Sequence, residues 1–524
     1  MSKILDKKEI FKLLYKRQNG EFITLKELPY PNTFKDMQKA VKRVAQAIRC
    51  NEKIVLIGDY DVDGVVATTI IRELFLEIDY PIEWIIPNRF SDGYGISSKL
   101  INRVDADVII TVDNGIAANE AAQTCKQKGI DLIITDHHTV PDDVPFAYAI
   151  VNQKQKSCNF EYKEICGAQI AWYFAASLAN ELKIKFNTKE LLCITALAIV
   201  ADIMPLTGIN RAMLIAGIEY LKRSNRAFVN ALKSKGIIKE SLNSETIAFY
   251  IAPLLNSAGR LKDASLASEF LFTSSQDEAL LILDELLELN QQRKSIEREI
   301  TKEALKQVTK NSNIAIVWGE DWNEGVVGIV ASKVAEHFKI PAIVLSCKDG
   351  ICKGSGRSYG DCDLYSLLTN AKEYYLKFGG HKSAIGLSFK KEKLPLIKNI
   401  LNLEASNCPK EYIDSSILGT LPFSEIDIEL LEILEKFEPY GEANLKPKFK
   451  ASVEILEAND VGETKEHRRY RFRDNTNRVL SAIEFRSKKT HNKGDIANIV
   501  FSLAKNEYND KVYINLYVEE LENI

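Results

Sequence analysis

Three apolar runs that each end in acidic groups constrain this chain more than any other feature. "KIVLIGDYDVDG" ends in Asp59, Asp61 and Asp63, "DVIITVDNGI" in Asp113, and "DLIITDHHT" in Asp136, His137 and His138. "IEWIIPNR" and "AYAIVNQ" read as further strands, with helical segments such as "VVATTIIRELFLEI" between most of them. Near-continuous apolar strands alternating with helices argue for a parallel α/β sheet covered on both faces. Ligands of open α/β sheets bind beyond the carboxyl ends of the strands. Three strands therefore deliver carboxylates and imidazoles to one edge. A fourth apolar stretch, "ALAIVADIMPL", carries Asp202 among hydrophobic residues.

Carboxylates gathered away from water need cations to neutralise them. Oxygen-dominated ligands with one or two imidazoles favour Mn²⁺ or Mg²⁺ over structural Zn²⁺. Two ions about 3.5–4 Å apart, sharing a carboxylate, accommodate so many ligands, activate water and stabilise charge on phosphate oxygens. Each piece alone has a plainer reading. DxDG is commonly a turn or Ca²⁺-type loop, Asp-Asn-Gly a turn, His-His a structural pair and Asp202 a helix cap. The conjunction at strand tips is what carries specificity. His138, one residue beyond His137, would point the other way if the strand continued.

A chain of 524 residues exceeds one core. The expected division is a helical lead-in over 1–50, an α/β catalytic domain over 51–275 and a connecting helix over 276–310. A second, smaller α/β domain over 311–405 and a strand-rich tail over 406–524, reading as a barrel or sandwich, complete it. No apolar run approaches the roughly 20 residues that cross a bilayer, and the charged N-terminus lacks a signal core. The expectation is a cytoplasmic protein with no membrane partner. Nine scattered cysteines without CxxC read as reduced thiols. No GxxxxGK[ST] occurs, so ATP-driven chemistry lacks support.

A net charge of -3 conceals a basic tail, where nine Lys or Arg face four acids between Val461 and His491. In "RRYRFRD", Arg469, Arg471 and Arg473 alternate with Tyr470 and Phe472 and would share one strand face. That face suits a nucleic-acid backbone. The two rings either stack bases or fill the core. Glycine-rich stretches add further candidates: "GGHKSAIG" with His381 and Lys382, and "GSGRS" with Ser355 and Arg357. Glycines there free the backbone for close approach to an anion, though a simple turn is the plainer reading. Asn256 and Arg260 in "NSAGRL", and Arg89 after the second strand, are candidate backbone contacts.

The DYDxDG, VDNG and DHH elements, with the late buried Asp, resemble the DHH phosphoesterase superfamily. "IPNRFSDGYGIS", "PLLNSAGRL", "GSGRS" and "KFGGHKSAIGLSF" are similar to its RecJ branch, single-strand-specific exonucleases that degrade DNA from the 5′ end. The resemblance spans nearly the whole chain. It implies that Asp61, Asp63, Asp113, His137 and Asp202 hold two divalent ions, Mn²⁺ or Mg²⁺. Asp136 would bind metal or orient His137, and Asp59 is similarly placed with its role open. His138 and His381 would contact the scissile phosphate. Arg89, Ser355 and Arg357 would form a pocket for the 5′-terminal phosphate, and the tail would be an OB-fold. The superfamily's small-molecule members carry a histidine four residues before the first aspartate of the pair. Ile57 stands there, which favours the RecJ branch.

The function so implied is 5′-to-3′ hydrolysis of single-stranded DNA to mononucleotides in repair and recombination. The protein would be a monomer, with a helicase and a single-strand-binding protein as partners. One alternative is a DHH phosphodiesterase for short oligonucleotides or cyclic dinucleotides, which needs neither the bridging helix nor a basic tail. Another is a catalytically dead DNA-binding relative, against which the intact ligand set speaks.

Overall fold

A computed structural model describes residues 3–93, 95–409, 414–487, 490–508 and 511–523. Lys488 and Lys489 of the basic tail, and Tyr94 of the "GYGIS" stretch, lie outside the described residues.

The first sheet is wholly parallel. Its strands are β1 (Ile54–Ile57), β2 (Glu83–Ile85), β3 (Val108–Val112), β4 (Asp131–Thr135) and β5 (Ala149–Val151), in the order β2-β1-β3-β4-β5. Residues of β1 alternate between two cores: Ile54 and Leu56 join one, Val55 and Ile57 the other. Burial on both faces explains why these strands read as unbroken apolar runs. From β1 the chain passes to β2 on one side, and β3 then lies on the other. The crevice of the fold therefore opens at the tips of β1 and β3.

Helices Gly167–Leu182, Leu192–Ala201, Gly208–Arg223 and Ala252–Leu261 complete this domain, and helix Gln276–Gln307 leads out of it. A second sheet follows with β6 (Ala315–Glu320), β7 (Ala342–Lys348), β8 (Ile351–Arg357), β9 (Tyr375–Gly380) and β10 (Ala384–Lys390), in the order β6-β7-β8-β10-β9. Only β6 and β7 are parallel. "GSGRS" is thus mostly strand β8, and "GGHK" ends strand β9 and enters the turn of a β-hairpin. Glycine content hid both strands from a reading by composition.

The C-terminal strands are β11 (Ile417–Thr420), β12 (Lys448–Val461), β13 (His467–Asp474), β14 (Val479–Glu484), β15 (Ile496–Tyr508) and β16 (Lys511–Asn523). Pairing of β12 with both β13 and β15 closes them into a barrel. Helix Lys7–Arg17 belongs to this barrel rather than to a separate lead-in. Ile10 and Leu14, with Leu5 just before it, enter the barrel core, and Ile4 bridges Thr420. Helix Met37–Arg49 packs instead on the first sheet's core.

The expectation of reduced thiols is corrected for four cysteines. Cys347 pairs with Cys352 and Cys362 with Cys408. Cys347 and Cys352 are direct partners across the β7–β8 hairpin, a proximity set by register that sequence spacing does not reveal. Among the described residues no helix is long and apolar enough to cross a membrane.

Candidate active site

The strand tips do converge. Beyond β1 the chain turns at Gly58 into helix Val62–Glu77, with Asp61 as its N-cap accepting the Gly64 N–H at 3.1 Å. Gly64 is required there, since a Cβ would lie 2.6 Å from the Asp59 carbonyl oxygen. Asp63, in the first turn, accepts the N–H groups of Gly167 at 2.6 Å and Ala168 at 2.8 Å. These are orphan donors at the start of helix Gly167–Leu182, a favourable seat for a carboxylate. A Cβ on Gly167 would lie 2.6 Å from Asp113 Oδ1, so this glycine lets the helix approach. Asp113 itself takes φ +62°, an uncommon conformation that turns its carboxylate back over the sheet edge.

His137 Nε2 lies 3.2 Å from Asp113 Oδ1, 3.6 Å from Asp202 Oδ2 and 3.7 Å from Asp63 Oδ2. Asp63, His137 and Asp202 form one possible ligand set, and Asp59, Asp61 and Asp113 another, the ligand atoms of each lying within 4.8 Å of one another. Asp113 also groups with His137 and His138, so it stands between the two sets. Asp59 Oδ1, Asp113 Oδ1 and Asp202 Oδ2 are buried without a hydrogen-bond partner among the described residues. Burial first, then the neighbouring carboxylates, pushes Asp59, Asp113 and Asp202 well above the usual carboxylate range. Unpartnered, mutually repelling oxygens are what divalent cations would satisfy. The donor set, oxygen with one or two imidazoles, fits Mn²⁺ or Mg²⁺.

Two expectations change. Asp136 does not join the ligand sets and does not orient His137. One oxygen accepts from the Ile116 N–H at 2.9 Å, and the other meets the His138 N–H at 3.0 Å and His138 Nδ1 at 2.7 Å. With both oxygens engaged, it is the orienting partner of His138. His138 does not point away either. Strand β4 ends at Thr135, so alternation no longer applies, and the two imidazoles sit 4.3 Å apart facing the cluster. Burial lowers the His138 proton affinity, but the Asp136 hydrogen bond and charge outweigh it and hold the group at about 9. Burial keeps His137 below its usual value.

The arginines gather on the other flank. Arg89 stacks on Tyr60 at 4.0 Å, and Arg260 donates to the Gly325 carbonyl at 2.7 Å. Burial, then the charges of Arg89, Arg293 and Arg357, lowers Arg260 to about 10. Ser355 and Arg357 on β8 face Gly328, in the first turn of helix Val327–Phe338. A Cβ at Gly328 would lie 3.3 Å from Arg357 Nη2 and 3.4 Å from Ser355 Oγ. An open helix N-terminus beside clustered guanidiniums is an anion seat. His381 sits at the β9–β10 turn, where its backbone N–H donates to the Ala384 carbonyl at 2.8 Å, and burial lowers its proton affinity.

Asn256 accepts the Val62 N–H at 3.2 Å and thereby pins the acidic turn. Lys382 points away, towards Asp361 at 3.9 Å. Tyr470 and Phe472 are fully buried in the barrel core, which resolves the alternative left open for them. Arg471 and Arg473 lie on the opposite face, paired with Glu457 at 2.8 Å and Glu454 at 2.6 Å. Arg469 is exposed on the same face.

Sequence reasoning missed Asn114, whose amide donates to the Ile57 and Val112 carbonyls and accepts from Ile96, tying the β1 and β3 tips together. It also missed Asn152, which donates to the His138 carbonyl at 2.9 Å, and Arg293, buried on the long helix. A polar residue at a strand tip is a weak signal for Asn114 and Asn152. Arg293 had none.

Family models match three segments: the DHH family N-terminal domain over 53–199, the DHHA1 domain over 311–407 and the RecJ OB domain over 417–520. The single-stranded-DNA-specific exonuclease RecJ of Bacillus subtilis (strain 168) is 33% identical over 94% of this chain, which spans 64% of that relative's length. The proteins of the same name from Escherichia coli (strain K12) and Haemophilus influenzae are 32% and 30% identical. The matches cover 82% and 96% of this chain, and 79% and 93% of theirs. RecJ from Thermus thermophilus, solved in complex with Mn²⁺, superposes over 100% of this chain and 79% of its own, with a TM-score of 0.85 at 24% identity, a likeness of fold.

Proposed function

Since the chain belongs to the RecJ family of DHH phosphoesterases, we propose that it is a metal-dependent exonuclease hydrolysing single-stranded DNA from the 5′ end to mononucleotides. The observation that carries this reading is the cluster of buried, unpartnered carboxylate oxygens at the tips of β1 and β3. Two divalent ions held there, by Asp63, His137 and Asp202 and by Asp59, Asp61 and Asp113, would activate water and neutralise phosphate charge. Asp113 lies between both sets and would be shared.

The remaining groups position substrate. His138, kept protonated at neutral pH by Asp136, donates to an oxygen of the scissile phosphate. His381 closes on the same phosphate from the second domain. Arg89, Arg357, Ser355 and the N-terminus of helix Val327–Phe338 hold the terminal 5′ phosphate, with Arg260 reinforcing the positive field. Fixing the end in one pocket places the first phosphodiester at the metals, which gives both polarity and mononucleotide products. The exposed face of β13, with Arg469, Arg471 and Arg473, guides the incoming strand. Exposed ion pairs such as Arg471 with Glu457 are weak enough to exchange for phosphate. We assign the work to repair and recombination in the cytoplasm, on strands opened by a helicase.

The test is a time course on single strands labelled at either end, with Mn²⁺ or with EDTA. Labelled mononucleotide should appear first from the 5′ label, only with metal, and duplex should resist. First release from the 3′ label would overturn the polarity, and metal-independent cleavage the mechanism.

A further inference from the structure

Between β5 and helix Gly167–Leu182 runs "NQKQKSCNFEYKEIC", the loop that begins at Asn152. It is tied to the acidic cluster at both ends. Asn152 donates to the His138 carbonyl at 2.9 Å, and its side-chain oxygen accepts the Lys154 N–H at 2.7 Å. At the far end, Glu164 stands three residues before Gly167, whose N–H holds Asp63. The interior is stapled. The Lys163 ammonium donates to the carbonyls of Gln153, Cys158 and Phe160 at 2.9, 3.1 and 2.7 Å, and Gln153 donates back to the Lys163 carbonyl at 2.7 Å. Asn210 anchors the Glu164 carbonyl at 2.7 Å.

This frame holds one more cation at the cluster. The Lys154 ammonium is 3.1 Å from Glu164 Oε2, with its side chain 22% exposed and that of Glu164 59% exposed. The Lys154 N–H rests on Asn152, whose amide holds the His138 carbonyl, so the loop carries this lysine beside the cluster. The pair therefore joins the two ends of the loop beside the acidic cluster, Lys154 two residues from the Asn152 that holds the His138 carbonyl and Glu164 three residues from the Gly167 that seats Asp63.

Resting on the exonuclease reading above, we propose that Lys154 is a positioning residue that contacts a backbone phosphate of the DNA strand at the mouth of the metal cluster, with Glu164 as the counter-ion it leaves on binding. The ammonium needs no preformed pocket to do this. A lysine is a compact point charge whose reach suits one phosphate. Its carboxylate partner is largely in solvent, so the exchange exposes no buried charge. The rigid loop fixes where the charge is presented, and the weak pair keeps it available.

The experiment measures exonuclease KM and kcat on a 5′-phosphorylated oligothymidylate across a series of KCl concentrations, for the wild type, Lys154→Met, Lys154→Arg and Glu164→Gln. Loss of one phosphate contact on a single strand should reduce the log KM against log salt slope by about 0.7 in Lys154→Met. KM at low salt should rise about tenfold with kcat within about twofold, because the contact persists from ground state to transition state. Lys154→Arg should restore the slope, and Glu164→Gln should lower KM. Melting temperature and Mn²⁺ affinity, measured alongside, separate this from a disturbed loop. An unchanged slope and KM in Lys154→Met would overturn the inference while leaving the exonuclease reading intact. A wild type that leaves the oligonucleotide uncut would overturn the latter.

Discussion

Asp63 and Asp136 look equivalent in the sequence, each an acid at a strand tip, yet their surroundings predict different failures. Asp63 turns towards His137 from a helix start that holds it rigidly, so Asp63→Ala should remove turnover and one metal together. Asp136 touches His138 and the Ile116 N–H, so Asp136→Asn should lower kcat about 10–100-fold while Mn²⁺ affinity stays near wild type. Calorimetric Mn²⁺ titration beside steady-state rates distinguishes the two. A lost metal in Asp136→Asn would return that residue to the ligand set. Arg357→Gln should cut the preference for a 5′-phosphorylated over a 5′-hydroxyl strand about tenfold or more, the worth of one charge-assisted hydrogen bond. Competition between the two strands in one reaction measures that ratio directly. The ligand-type residues were legible because metal chemistry dictates their kind. Which partner Asp136 takes was not, because it depends on where β4 ends, and β4 stops at Thr135.

At the scale of elements, periodicity was a good guide wherever one face is buried. The "RRYRFRD" alternation gives a strand with its arginines outward, and His467–Asp474 is that strand. What alternation could not decide was whether the aromatic face meets DNA or core, since both are apolar demands. Phe472 is fully buried and Tyr470 reaches Glu484 at 2.8 Å, so both belong to the barrel. Phe472→Ala should accordingly destabilise the barrel by about 3–5 kcal/mol, the cost of a large core truncation. Chemical denaturation followed by circular dichroism tests this. A variant with unchanged stability but weakened DNA binding would put the ring back at the nucleic acid. The stretch around His381 reads as a turn with a candidate phosphate contact and not as two strands, because Gly379 and Gly380 of β9 and Gly386 of β10 lack strand propensity. Those glycines leave the turn carrying His381 unencumbered by side chains.

For the whole molecule, the acidic cluster links metal, pH and stability. Asp59, Asp113 and Asp202 bind protons more tightly in the folded chain than when unfolded. Across the range from the ordinary carboxylate pKa up to those raised values, the folded state carries the extra protons, so metal-free stability falls as pH rises. His138 acts in the same direction. Its folded value of about 9 exceeds the usual 6.5, so its contribution is complete below the latter and is lost as pH rises through about 9. Cations reverse the first effect, because they bind the deprotonated carboxylates and release the protons. The gap in Tm between Mn²⁺-loaded and EDTA-treated protein should therefore widen from about pH 4, where an ordinary carboxylate titrates, to about pH 8, through loss on the metal-free side. Differential scanning calorimetry at both pH values reads it. A gap that is constant or narrows would mean that the clustered acids are neutralised by something other than divalent ions, and the reading of the strand tips as a metal site would fail with it.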